Sequence, residues 1–154
     1  MTTSASTDDE TDSTPEDLAA EASEVRIATF RLARRLRAER AVDSMSDAQF
    51  AVLATLKVHG PHTLGDLAER ERVSAPSMNR TVNCLEESGY LTRTPDDVDR
   101  RKVNIAVTDA GRGVVEETAR RRDAWLEAVL GDLPPAKRTL LRRAAEVMQE
   151  VAGL

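Results

Sequence analysis

Closely spaced helix starts are the strongest constraint on how this chain folds. Ser46 begins a capping-box sequence, Thr63 is followed by Asp66 three residues later, and Ser74 precedes a proline-containing first turn. Side-chain oxygens at such positions accept hydrogen bonds from the unpaired N–H groups of a first helical turn. The pattern predicts three helices, joined by very short turns, between Ser46 and Gly89. This is the arrangement of a helix-turn-helix core.

Two strands are predicted directly after this core. Residues 102–107 alternate apolar and polar side chains, as a half-buried strand does, and residues 90–93 are predicted to form its partner. The segment between them, residues 94–101, is rich in proline and aspartate and favours a turn. Together these segments predict a β-hairpin with a charged tip.

Long helices are predicted on both sides of this middle region. Apolar side chains recur at steps of three or four from Leu18 to Leu36, and again from Leu140 to Val151. The predicted fold class is therefore mainly α (α+β), a winged helix-turn-helix with a β-hairpin wing, flanked by long N- and C-terminal helices. Residues 1–14 have almost no large apolar side chains, so they are predicted to be a disordered acidic tail.

The third predicted helix presents a polar face opposite its apolar stripe of Met78, Val82 and Leu85. Arg, Asn and Ser side chains pair with base edges and phosphates in a major groove, and a helix N-terminus offers N–H donors to a phosphate. An ordinary solvated surface is the alternative, but the position of the helix before a basic hairpin argues against it. The candidate DNA-binding residues here are Ser74, Pro76, Ser77, Asn79, Arg80 and Asn83.

The tip of the predicted hairpin is a second candidate contact. An arginine on such a wing can enter a narrow, electronegative minor groove, and both Arg100 and Arg101 are candidates. Asp99 can brace one of them so that its guanidinium points at the groove. The alternative is a surface turn that neutralises its own charges.

The net charge of −5 hides an asymmetry along the chain. Residues 1–24 hold eight acidic residues and no lysine or arginine, so the remaining chain carries 22 basic and 19 acidic residues. The negative total therefore does not argue against a polyanion as partner. Residues 61–108 hold seven basic and eight acidic residues, so DNA binding would depend on where these charges lie and not on their sum.

Several segments, in order along the chain, resemble the MarR family of bacterial transcriptional regulators. They are TLGDLA at 63–68, VSAPSMNR at 73–80, LEESGYLTR at 85–93, DRR at 99–101 and VTDAG at 107–111. The resemblance covers about residues 46–113. The wing motif of the family, Asp, any residue, Arg, three residues, then Val or Ile, falls on Asp99, Arg101 and Ile105.

The resemblance implies a homodimer that binds double-stranded DNA at a palindromic operator, with a repressor as the expected role. Two recognition helices of a symmetric dimer would enter successive major grooves. Many members of the family bind small aromatic or phenolic acids, so such an effector is a possible partner. The implied organisation is one unit over 15–154, with a DNA-binding region at 46–108, a recognition helix at about 74–88, a wing at about 94–102, and dimerisation helices at 15–42 and 109–154.

Other residues carry weaker signals. Cys84 lies on the outward side of the predicted recognition helix, where oxidation could hinder docking, so a redox-responsive regulator is an alternative. His59 and His62 are too few for a closed zinc site, so no metal is expected. The sequence Gly111-Arg112-Gly113 is too short for a nucleotide-binding loop and is expected in a first helical turn.

A protein-interaction module built on a winged helix is the main rival hypothesis, because a fold does not dictate its function. A steep fall of affinity with salt would favour DNA binding over a protein interface. No paired carboxylates and no nucleophile with a base stand out, so neither an enzyme nor a cofactor is expected. The N-terminus lacks the basic and apolar regions of a signal peptide, and no apolar stretch is long enough for a bilayer. A cytoplasmic protein without a membrane partner is therefore expected.

Overall fold

The computed structural model describes residues 14–95 and 102–153 of the 154-residue chain. Within these residues lie six helices and a small sheet of three strands, which confirms the predicted fold class. The predicted tail, apart from Thr14, and the predicted hairpin tip lie outside the described residues. The elements in chain order are α1 (Pro15–Ala38), α2 (Asp47–His59), β1 (His62–Thr63), α3 (Leu64–Arg70), α4 (Ala75–Glu87), β2 (Leu91–Pro95), β3 (Val103–Val107), α5 (Asp109–Gly131) and α6 (Pro135–Ala152).

The three predicted caps are present. The Ser46 hydroxyl accepts a hydrogen bond from the Gln49 N–H at 3.2 Å, and the Gln49 side chain accepts one from the Ser46 N–H at 2.7 Å. Thr63 and Asp66 form the same reciprocal pair at the start of α3. Ser74 accepts from the Ser77 N–H at 3.4 Å and begins α4. These contacts join residues three apart, which is why the sequence alone predicts them.

A very short turn separates α3 from α4. Arg72 lies in it with φ of 53°, in the left-handed region that non-glycine residues rarely adopt. The Val73 N–H donates to the Ala68 carbonyl at 2.9 Å and ties the turn to the end of α3. The direction in which α4 leaves α3 is therefore set by hydrogen-bonded backbone.

The sheet has the order β1-β3-β2, with both pairs antiparallel. The hairpin of β2 and β3 was predicted, but β1 was not, and β2 reaches Pro95 instead of ending at residue 93. β1 is only two residues long, with Thr63 opposite Asn104, and so carries no periodic pattern. Pro95 is tolerated because β2 is an edge strand, where a missing N–H costs no ladder bond.

An aliphatic core holds these elements together. The predicted inward stripe of α4 is buried, since Met78, Val82 and Leu85 are each at most 2% exposed. Leu53 of α2 and Leu67 of α3 are fully buried in the same core. Burying one such side chain stabilises the fold by about 1.5–3 kcal/mol. The polar face of α4 is therefore turned outward by packing.

Hydrogen bonds cap the start of α5 and connect the middle of the helix to Ala41. The Thr108 hydroxyl accepts from the Gly111 N–H at 3.1 Å, which places Gly111 in the first turn of α5 as expected. The buried hydroxyl of Thr118 accepts from the Ala41 N–H at 3.1 Å. Burial favours both hydrogen bonds because unpaired groups there are costly.

The described chain forms two compact units, one up to Leu36 and one from Arg37 onward. In the first unit, α1 exposes a row of large apolar side chains, among them Val25 and Phe30, which is 60% exposed. In the second unit, α6 exposes Leu140, which is 67% exposed, and Val151. No helix among the described residues is both long and apolar enough to pass through a membrane.

Candidate nucleic-acid interface

The outward face of α4 carries every candidate residue that was predicted for this helix. The buried stripe of Met78, Val82 and Leu85 occupies the opposite side of the helix. The Arg80 side chain makes no hydrogen bond or ion pair within the described residues, so its exposed guanidinium is available to a ligand. The exposed candidates are Ser74, Pro76, Ser77, Asn79, Arg80 and Asn83.

The start of α4 offers fewer backbone donors than the sequence suggested. Ser77 donates its N–H to the Ser74 side chain, and Pro76 has no N–H to offer. Of the first three positions of the helix, only Ala75 keeps an N–H without a partner within the described residues. A phosphate at this end would therefore be held by side chains together with a single backbone donor.

Arg93 is a site residue that sequence reasoning missed. From β2 its guanidinium forms an ion pair with Glu86 of α4. Its Nη2 also donates to Asn83 Oδ1 at 2.7 Å and to Asn79 Oδ1 at 3.3 Å. Two of the six candidate residues on α4 are thus connected to the sheet. A signal was present in the sequence, because Arg93 lies two residues after the buried Leu91 and so shares the inward side of its strand.

The predicted wing contacts are outside the described part of the chain. Asp99, Arg100 and Arg101 all lie outside the described residues, so their roles stay predictions. The hairpin that carries them is present, with Pro95 opposite Val103 at its last described pair.

A cavity of about 480 Å³ lies behind the N-terminal half of α4. Arg122 of α5 lies over the Phe50 ring, 4.6 Å from its centroid, in a cation–π contact. Burial lowers the pKa of the Arg122 guanidinium, Asp47 raises it, and Arg40 and Arg37 lower it further. Arginines and carboxylates therefore both lie beside this aromatic surface. The lining residues are Arg37, Asp47, Ala48, Phe50, Ala51, Val52, Glu71, Val73, Ser77, Met78, Thr81 and Arg122.

The weaker candidates have ordinary partners. Cys84 is exposed, as predicted, and its sulfur accepts a hydrogen bond from Gln49 Nε2 at 3.0 Å. His59 Nε2 lies 2.8 Å from Arg70 Nη2, and His62 Nδ1 lies 2.8 Å from the Gly60 carbonyl. Over residues 14–95 and 102–153, no three potential ligands are grouped for a metal ion.

Sequence comparison identifies similar proteins. The model of the MarR family matches residues 45–103. An uncharacterized HTH-type transcriptional regulator of Mycobacterium leprae is 39% identical over 130 residues, which are 84% of this chain and 91% of the relative. The HTH-type transcriptional repressor MdtR of Bacillus subtilis is 33% identical over 89 residues, 58% of this chain and 57% of its own length.

Solved structures show the same architecture. A transcriptional regulator from Thermotoga maritima has a TM-score of 0.73 at 28% identity, over 86% of this chain and 94% of that one. A mutant of S. aureus MepR, solved with a bound oligodeoxyribonucleotide, has a TM-score of 0.67 over 86% of this chain and 97% of its own. At 18% identity the second likeness concerns the fold alone.

Proposed function

Because the chain belongs to the MarR family of DNA-binding winged helix-turn-helix transcriptional regulators, we propose that it is a homodimeric repressor acting at a palindromic operator. Members of this family are regulators and not enzymes. The observation that carries the proposal is the exposed polar face of α4, centred on Arg80 and opposite a fully buried stripe. Such a helix can enter a major groove without disturbing the core that holds it.

The dimer is proposed from the apolar surfaces that each unit leaves open. Phe30 of α1 is 60% exposed, and Leu140 of α6 is 67% exposed. A monomer rarely leaves rows of such side chains in water, because covering them is favourable by about 25 cal/mol per Å². A second copy supplies the same surfaces in a symmetric, self-complementary interface. The predicted dimerisation helices, 15–42 and 109–154, contain both rows.

Each part of the interface has a proposed role. Arg80, Asn79, Ser77 and Asn83 read or position bases, while Ser74 caps α4 and contacts phosphate. One of Arg100 and Arg101 enters the flanking minor groove, and Asp99 orients it. Two recognition helices of a symmetric dimer then contact half-sites about 10 base pairs apart, which requires an imperfect palindrome.

A footprint on DNA from upstream of the protein's own gene tests this proposal. Binding is measured across a salt series and against a random duplex of equal length. We expect protection of a palindrome and a preference over random DNA of about a thousandfold or more. We also expect affinity to fall steeply with salt, because phosphate contacts release counterions. If the protein does not prefer the upstream DNA over a random duplex, and selection from random sequences also enriches no site, the rival hypothesis of a protein-interaction module is favoured.

An aromatic acid is the proposed effector, and the cavity behind α4 is its proposed site. Phe50 offers aromatic surface for packing beside Arg122, and Arg37 and Arg122 offer cations for a carboxylate. Ser77 and Met78 of α4 line the same cavity, so an occupant touches the recognition helix itself. Such a ligand releases DNA only if it binds the DNA-free geometry better than the DNA-bound one.

Arg122→Met tests this site with benzoate and 2-hydroxybenzoate as probes. We expect both probes to release the wild-type protein from its operator, and the variant to need about tenfold more probe because one cation is lost. The matched control is Arg112→Met, which removes an exposed arginine of the same helix outside the cavity. A probe that binds wild-type protein without changing operator affinity would contradict the regulatory role.

A further inference from the structure

We infer that Arg93 sets the hydrogen-bonding polarity of the recognition helix, by holding Asn79 and Asn83 with their amide nitrogens directed to DNA as donors. Arg93 is then a positioning residue for base recognition, and both asparagines read base edges that carry acceptors. The inference rests on the proposed function, because it assumes that this face of α4 contacts bases.

The polarity follows from the chemistry of the arginine. A guanidinium has donors only, so the amide atom facing it in each asparagine must be the oxygen. Nη2 donates to Asn83 Oδ1 at 2.7 Å and to Asn79 Oδ1 at 3.3 Å. The amide group is planar, so an oxygen that faces Arg93 leaves the NH₂ of the same amide directed away from the guanidinium. Rotating either amide by 180° would place N–H groups against a cation and break the bond.

The guanidinium is itself held in place. Its ion pair with Glu86 occupies the other amino group, and both side chains are only about one third exposed, at 30% and 35%. Arg93 lies opposite Ile105 in the β2–β3 register, and the two residues line one cleft with Leu64 and Val103. An apolar floor under a charged group strengthens its hydrogen bonds. Arg93 can therefore impose an orientation on the asparagines.

This orientation has consequences for base choice. An unrestrained asparagine can contact adenine with both amide atoms, donating to N7 and accepting from N6. The oxygen keeps a second lone pair, but the bond from Arg93 directs it toward the sheet, so the amide nitrogen is the group that faces DNA. Guanine O6 and N7, adenine N7 and thymine O4 are acceptors, whereas cytosine presents its N4 amino group as a donor. Positions read by Asn79 and Asn83 should therefore exclude cytosine on the contacted strand.

Selection from a random duplex library with the full-length protein tests the inference. Contacted positions are those at which Asn83→Ala flattens the base preference. We expect wild-type protein to disfavour cytosine there by about tenfold, and Arg93→Met to reduce this to less than about threefold by freeing the amides. Arg112→Met loses the same charge away from α4 and should keep the wild-type preference. A purely structural role of Arg93 would lower affinity for all sequences alike and leave the preferences unchanged.

Asn83→Asp provides an independent arm if Arg93→Met does not fold, which circular dichroism would show. Aspartate keeps an acceptor on Arg93 but presents an oxygen to DNA where the NH₂ stood. We expect preference at the contacted position to move toward the amino groups of cytosine and adenine. Unchanged preferences in the folded variants would overturn the inference. If the wild-type protein enriches no sequence, operator recognition itself is wrong and the inference falls with it.

Discussion

Gly111→Ala is expected to lower the free energy of unfolding by about 3 kcal/mol, a large part of the 5–15 kcal/mol typical of a domain. A Cβ on Gly111 would lie 2.3 Å from the Tyr90 carbonyl oxygen and 2.8 Å from Val107 Cγ2. The Tyr90 carbonyl is backbone and already accepts from the Thr108 N–H at 3.0 Å, so it cannot move aside without breaking that bond. The start of α5 would have to shift away from the sheet.

Gly113→Ala is the matched control, since it lies two residues later in the same helix. Apart from its chain neighbours and the nearby backbone of α5, no atom of the described residues lies within 4 Å of a Cβ built there. Alanine is the better helix former, so this variant should gain about 0.5–1 kcal/mol. Urea unfolding at one fixed protein concentration measures both, because the stability of a dimer depends on concentration. A Gly111→Ala protein as stable as the wild type would show that α5 is not packed on Tyr90 as described.

Arg80→Ala should weaken binding to the operator by about 1–3 kcal/mol, roughly 5- to 150-fold, with a much smaller loss on random DNA. Arg80 is exposed on the outward face of α4, and its side chain makes no hydrogen bond or ion pair within the described residues that its loss would break. Thermal unfolding should therefore stay close to that of the wild type. The affinity of the variant for both duplexes is measured by titration at each concentration of a salt series.

Arg112→Ala serves as the control for charge in that titration. It removes an exposed arginine whose described partner is Asp109, 4.0 Å away on the same helix. We expect this control to change operator and random DNA affinity by equal, small factors. If Arg80→Ala loses the same affinity for both duplexes, and its affinity depends on salt with a slope lower by about one, then Arg80 contacts a phosphate and reads no base.

Local sequence signals account for most of the confirmed fold. The caps at Ser46, Thr63 and Ser74 join groups three residues apart, and the stripe of Met78, Val82 and Leu85 depends only on helical periodicity. The hairpin of the wing could also be predicted from local sequence, because its two strands are consecutive in the chain. β1 was missed because two residues carry no period, and its pairing with β3 is made by distant residues.

The helix starts, the wing, the buried stripe of α4 and the candidate face opposite to it thus follow from local sequence. What that face can offer to DNA depends on contacts between distant residues. Asn79 and Asn83 are 14 and 10 residues from Arg93 in the chain, and only the packing of α4 on β2 brings their oxygens to its guanidinium. The cavity that Phe50 and Arg122 line and the close approach of Gly111 to Tyr90 arise in the same way. Hydrogen-bond direction and steric fit depend on atoms that local periodicity does not place, so these features follow from the folded geometry.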